Sequence, residues 1–218
     1  MTARMSRSSA WTLPRARLAV HAVTAARRLL GQRLRVVAAD GHESVGRIVE
    51  VEAYRQDDAA CHAFRGPTPR NRSLFLPAGF AYVYRSYGLH WCVNVTCEAE
   101  GVGAAVLLRA LVPERGIAHM RLRRGFGDQP DAALCRGPGN VCRALGIDGH
   151  HDGVDLCQAD ADASLWAGPN VASRHVLRGP RIGIRRAREH AWRLWLSDEP
   201  AVSAPRTRAA AVTASRSP

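Results

Sequence analysis

The chain contains no lysine; all 31 of its basic residues are arginine. Without an ε-amine, no side chain can form a Schiff base with a carbonyl, and only the N-terminal amine remains for that chemistry. No run of about 18 apolar residues exists, which excludes a membrane-spanning helix. The first dozen residues carry Arg4 and Arg7 but no apolar stretch, so they do not read as a signal peptide. The six cysteines (61, 92, 97, 135, 142 and 157) include no C-x-x-C pair. In a basic chain with no secretion signal they read as reduced, buried small hydrophobes, and the protein as cytoplasmic. Residues 148–162 hold five aspartates and two histidines, but their spacing is irregular and fits no metal loop such as an EF-hand. Neither a metal nor a cofactor is expected, and there is no internal repeat.

What is present is charge and aromatic patterning. The chain has 218 residues, a formal net charge of +12 and a pI near 10.8. That length suits one domain with a real core. So basic a chain points to a polyanionic partner, either a nucleic acid or an anionic membrane surface. Polar residues 1–14 read as a flexible tail, residues 15–197 as the folded domain, and the Ala/Pro/Ser/Arg-rich residues 198–218 as a disordered basic tail.

The organising stretch is Gly46–Tyr54, GRIVEVEAY. Its β-branched residues predict a strand, with Val49, Val51 and Ala53 facing a core and Ile48, Glu50, Glu52 and Tyr54 facing the other way. Two carboxylates beside a tyrosine are unusual on a structural strand, although both could be paired with arginines. A helix is expected over Arg15–Leu30, closed by Gly31, then a strand over Leu34–Ala38 and a turn at Asp40-Gly41. Residues 55–79 form a long connection carrying Asp57, Asp58, His62 and the run Thr68-Pro69-Arg70-Asn71-Arg72. Phe80–Tyr84 and Leu89–Thr96 read as a hairpin turning at Ser86-Tyr87-Gly88. It is rich in aromatic residues and has Arg85 near its tip. Ala104–Leu111 reads as a buried strand interrupted by Arg109, which needs a carboxylate partner; Glu52 is the candidate. Helices follow from Pro113-Glu114 to Arg124 and over Pro138–Leu145. Arg181–Ile184 and Trp192–Leu196 read as two closing strands.

The chemistry-bearing set is therefore Glu52, Tyr54, His62, Tyr84, Asn94 and Arg109. It combines one carboxylate, stacking surfaces, an amide and a buried cation. Such a set suits a base held between aromatic faces while a carboxylate activates water. At these residues the chain resembles the alkyladenine (3-methyladenine) DNA glycosylase family. The likeness is carried by GRIVEVEAY, His62, TPRNR at 68–72, YVYRSYG at 82–88, CVN at 92–94 and VLLRALVP at 106–113. ARRLLGQRL at 26–34, LCRGPGNVCRALGI at 134–147, PRIGI and AWRLW fit as well. It extends over roughly residues 16–197 in order.

The resemblance implies one mixed α/β (α+β) domain. Its curved, mostly antiparallel sheet would carry a protruding, DNA-intercalating hairpin, with helices around it. It implies an enzyme of base excision repair acting on double-stranded DNA with damaged purines, in a bacterial-type nucleoid; the absence of lysine adds the expectation of a monofunctional course, and a monomer is expected. Glu52 would be the general base and Arg109 would hold it and the water. Tyr54, His62 and Tyr84 would stack on the flipped base, Asn94 would reject guanine, and Tyr87 would wedge into the minor groove. Arg85, Arg70 and Arg72 are expected on the DNA backbone. Two rival readings stay open. One is a helix-hairpin-helix glycosylase, some of which hold an iron–sulfur cluster on four cysteines. The other, of a different class, is a non-catalytic nucleic-acid-binding module, which would have no use for Glu52.

Overall fold

The computed structural model describes residues 11–125 and 127–203. Its backbone is organised on β2 (Glu43–Tyr54), flanked by β1 (Arg33–Val37) and β5 (Ala105–Arg115). The sheet continues through β4 (His90–Thr96) to β3 (Ala81–Ser86) on one side and to β6 (Ala163–Trp166) on the other, in the order β3-β4-β5-β2-β1-β6. All pairings are antiparallel. The strand β2 is long enough to take two partners along one edge: β1 pairs with residues 43–47 and β8 (Arg193–Leu196) with residues 50–52. β7 (Val176–Gly179) completes the sheet beside β8.

Register breaks against β5 at Ile48/Glu50 and Glu50/Val51 bend β2 where its partners change. Bulges of this kind increase local twist and re-aim side chains. The strand's carboxylate face is interior, because Ile48, Glu50 and Glu52 are each fully buried, as are Val49, Val51 and Ala53. A sheet covered on both faces explains the near-continuous apolar sequence of β5.

Three helices pack on this sheet. α1 (Ala22–Leu29) lies against β2 and β5, burying Ala22, Ala25, Ala26 and Leu29. It is shorter than the expected Arg15–Leu30 helix. Arg15–Arg17 is a separate 3₁₀ turn, and the His21 side chain accepts from the Val23 N–H to start the helix anew. α2 (Ile117–Arg124) begins four residues later than Pro113 suggested, because β5 runs through Pro113 to Arg115. Pro113, which has no N–H to donate, sits opposite Gly46 beside a register break, a position where strands accept proline. The chain then turns at Gly116, φ +73°, where a Cβ would lie 2.3 Å from the Glu43 carbonyl oxygen. α3 (Pro138–Leu145) matches its expected span, with Pro at its start and Gly146 at its end.

Packed residues extend beyond both ends of the expected 15–197 domain. Thr12 pairs with Trp166, and Leu13 is fully buried and donates its N–H to Leu165 O at 2.8 Å. Ala201, Val202 and Ser203 are buried as well. Residues 1–10 and 204–218, which carry the rest of the expected tails, lie outside the described residues. Among the described residues no helix is long and apolar enough to cross a membrane.

Candidate active site

Glu52 is fully buried near the end of β2; it does not itself line the neighbouring cleft of about 900 Å³, but its partners Tyr54, Arg109 and Ile182 do. Its Oε2 accepts from the Tyr54 hydroxyl at 2.8 Å and lies 3.2 Å from Arg109 Nη1. Its Oε1 accepts from the backbone N–H of Ile182 at 2.7 Å. A buried carboxylate is tolerable only when paired and hydrogen-bonded in this way. Burial and the Glu52 charge push the Tyr54 phenol well above its usual range, so it stays a proton donor to Glu52. Burial alone would weaken Arg109 as a cation, but the Glu52 and Glu50 carboxylates more than offset this and raise its pKa.

Arg109 is shared. Its Nε reaches Glu50 Oε1 at 3.2 Å, so the expected Glu52 pairing is present and a second carboxylate joins it. Glu50 is held by Arg193 Nε at 2.7 Å, by the Ser203 hydroxyl at 2.8 Å and by the Ser203 N–H at 2.7 Å.

The Ile182 N–H is delivered by a loop. Arg181–Ile184 is not a strand, contrary to the sequence expectation; β7 ends at Gly179 and β8 begins at Arg193. The loop is pinned by Arg181, whose buried guanidinium pairs with buried Asp58 and donates to Ala53 O at 2.9 Å and Ala187 O at 3.2 Å. That guanidinium also lies 4.6 Å from the Tyr54 ring centroid and 5.2 Å from that of Trp192. A desolvated cation over an aromatic face contributes about 2 kcal/mol. Of these partners only Ala187 lies in the same loop; Asp58 and Ala53 are 123 and 128 residues away in sequence.

One wall of the cleft is aromatic. The His62 and Tyr84 rings meet edge-on at 4.5 Å, and Tyr82 and Tyr84 stack at 5.4 Å. His62 Nδ1 and the Tyr82 hydroxyl are 2.9 Å apart. Asn71, buried in the 55–79 connection, donates to the His62 carbonyl at 2.9 Å and so fixes that segment. Burial, and then the Arg70 charge, lower the His62 pKa and favour the neutral ring. Burial raises both Tyr82 and Tyr84. Asn94 is buried at the cleft edge, its amide donating to Tyr82 O across the hairpin at 3.0 Å.

The β3–β4 hairpin stands at the mouth. Tyr87 and Gly88 both have positive φ (51° and 71°), and Leu89 N–H donates to Ser86 O at 3.0 Å. This is the arrangement of a type I′ turn, which matches the twist of the flanking strands. Tyr87 is 89% exposed and Leu89 71%, so the tip presents an unsupported apolar edge. Arg85 and Arg70 line the same cleft with Arg185 and Arg186; Arg72 is exposed but is not part of the lining.

Of the sequence-derived set, Tyr54, His62, Tyr84, Asn94, Arg109, Arg70, Arg85 and Tyr87 line this one cleft, with Glu52 directly behind its floor. Sequence reasoning missed Tyr82, Asp58, Arg181 and Ile182. The aspartate-rich segment serves as a staple. Asp152 accepts from Ser73 Oγ at 2.7 Å and from the Val83 N–H at 2.8 Å, Asp155 pairs with Arg15 at 2.6 Å, and Asp148 caps a 3₁₀ turn. Among the described residues no group of three or more His, Cys, Asp or Glu is placed to hold a metal ion.

A family model described as methylpurine-DNA glycosylase (MPG) matches residues 16–200. A protein of Rhodopseudomonas palustris named "Putative 3-methyladenine DNA glycosylase" is 51% identical over 161 residues, which cover 73% of this chain and 75% of that one. A protein of the same name from a Mycobacterium species is 45% identical over 195 residues, covering 87% and 91%.

Proposed function

The chain belongs to the methylpurine-DNA glycosylase family, and from that premise we propose that it flips alkylated or deaminated purines out of duplex DNA and hydrolyses their N-glycosidic bond. A base inside a duplex shields that bond, and extruding it costs a few kcal/mol. Tyr87 fills the vacated stack as a wedge from the minor groove, and Arg70, Arg72 and Arg85 hold backbone phosphates. The extruded base enters between Tyr54, His62 and Tyr84. A 3- or 7-alkylated purine is a cation, and each good aromatic face favours it by roughly 0.5–2 kcal/mol. Asn94, which lines the same cleft, rejects guanine through a clash with its exocyclic amine.

At the floor, Glu52 Oε1 has one hydrogen bond from Ile182 and a second lone pair for a water proton. The water oxygen attacks C1′, its proton passes to Glu52, and the C1′–N bond breaks with its electron pair going to the base. A cationic base thereby leaves neutral, and an intact abasic site remains. Arg109 Nη1, 3.2 Å from Glu52 Oε2, holds the carboxylate in place for the attack. With no lysine in the chain, the enzyme stops at this point and does not cut the strand.

The observation that carries this reading is the Glu52 carboxylate held by Arg109, Tyr54 and the Ile182 N–H beneath an aromatic-walled cleft. The test is base release from duplexes carrying hypoxanthine, 1,N6-ethenoadenine or 7-methylguanine, revealed by alkaline cleavage. Glu52→Gln is expected to bind these duplexes as wild type does and to release no base. A Glu52→Gln protein that still releases base would remove Glu52 from the mechanism. A borohydride-trapped adduct would overturn the monofunctional course.

A further inference from the structure

We infer that Ser203, in the segment following β8, is a positioning residue for the Arg109–Glu52 pair, a step that rests on the hydrolytic reading above. Ser203 lies three residues beyond the stretch that the family model matches. It is nevertheless buried against the centre of the site, 153 residues in sequence from Glu50.

Glu50 is fully buried and, among the described residues, accepts from Arg193, Arg109 and both the hydroxyl and the N–H of Ser203. Arg193 Nε at 2.7 Å and the two Ser203 donors at 2.8 and 2.7 Å are short. Arg109 Nε, at 3.2 Å, is the longest. Arg109 stands at the same 3.2 Å from Glu52. Ser203 thus supplies two of the three short contacts to Glu50, and its Oγ also accepts from Arg109 Nη2 at 3.5 Å, so one hydroxyl touches both the carboxylate and the shared cation. Its carbonyl also accepts from Arg193 Nη2 at 3.0 Å, which fixes the second cation.

Remove the Ser203 hydroxyl and Glu50 Oε1 loses a charge-assisted donor inside a dry site. A buried carboxylate recovers such a loss from the nearest mobile cation. Arg193 is already at 2.7 Å from that oxygen, so the cation with distance left to close is Arg109, at 3.2 Å; it loses its own contact to the Ser203 hydroxyl as well, and closing onto Glu50 takes Nη1 away from Glu52. The groups facing Glu50 are Arg109 from β5, Arg193 from β8 and Ser203. Those facing Glu52 are Arg109, Tyr54 of β2, Tyr84 of β3 and the Ile182 N–H. None of the Glu52 partners replaces a lost guanidinium.

The experiment compares full-length wild type, Ser203→Thr, Ser203→Val, Ser203→Ala and Glu52→Gln. Single-turnover base release and lesion-duplex affinity are measured on each, after thermal midpoints establish which are folded. Thr and Val have the same shape and differ in the hydroxyl. Ser203→Thr is expected to release base at close to the wild-type rate. Ser203→Val is expected to be slower by on the order of tenfold, with affinity held, as for an interaction felt in the transition state. If the Val variant does not fold, the smaller Ser203→Ala carries the same comparison against Thr. Equal rates for Thr and its hydroxyl-free counterpart, with Glu52→Gln inactive, would overturn this inference and leave the hydrolytic reading intact. An active Glu52→Gln would instead overturn the reading on which it rests.

Discussion

At the scale of single residues, burial decides which ion pairs matter. Asp58 and Arg181 have fully buried side chains, and their pair fixes the loop that brings the Ile182 N–H to Glu52. Removing one partner of a buried pair leaves an uncompensated charge and costs about 3–5 kcal/mol. Asp58→Ala is therefore expected to lower unfolding free energy by that amount in urea titration, and base release should fall with it as the loop loosens. Asp57, one position earlier, pairs with Arg55 at 2.9 Å but its side chain is 67% exposed. An exposed pair contributes about 0–1 kcal/mol, so Asp57→Ala should move the urea midpoint very little. If the two variants proved equally stable, Arg181 would not be the keystone described above.

At the scale of elements, the β3–β4 hairpin holds a bulky residue where the backbone favours glycine. Tyr87 at φ 51° carries roughly 1 kcal/mol or more of strain with its side chain 89% exposed, so packing does not account for it. Tyr87→Gly is expected to leave the thermal midpoint no lower, while affinity for a lesion duplex falls by about tenfold, a typical share for one inserted side chain. A drop in midpoint with unchanged affinity would assign Tyr87 to the fold instead. This hairpin was legible in the sequence because alternation and a Tyr-Gly turn are local signals. So was β2, whose β-branched run and paired carboxylates stand together in nine residues. The ends of α1 and α2 were not legible. His21 capping and Pro113 placed at a register break depend on tertiary partners that local propensity does not contain. The same holds within the site. Glu52, Tyr54, His62, Tyr84, Asn94 and Arg109 stood out by residue type and by resemblance. Arg181 and Ser203 act on groups 123 and 153 residues away, and neither the R-I-G-I nor the A-V-S sequence signals that.

At the scale of the whole molecule, the substitution of arginine for every lysine shapes the response to both salt and alkali. With a net charge of +12, affinity for DNA should fall steeply with salt, and Arg70→Ala should lessen the log–log slope by about one phosphate contact. Alkali acts on the fold itself. Burial pushes the Cys61 and Cys157 thiols up to about 11 and the Cys135 thiol to about 12, from an ordinary value of 9.0. Burial also raises Tyr54, Tyr82 and Tyr84. These groups are acids whose folded pKa lies above the unfolded one. The stability they contribute is complete below the unfolded value. It is lost as pH climbs toward the folded one, because the unfolded chain ionises while the native chain keeps its protons. For thiols the window opens near pH 9 and closes near 11 to 12. Each buried thiol then costs roughly 1.4 kcal/mol per pH unit. In most basic proteins lysines deprotonate in this same range and obscure the effect, but here arginine stays charged throughout. Urea midpoints measured in steps through this window should therefore be level at first and then fall steadily. Cys135→Ala should start lower, because it leaves a cavity in the core, and then fall less steeply by one thiol's share. A Cys135→Ala slope equal to that of wild type would show that the thiol is ionised alike in both states.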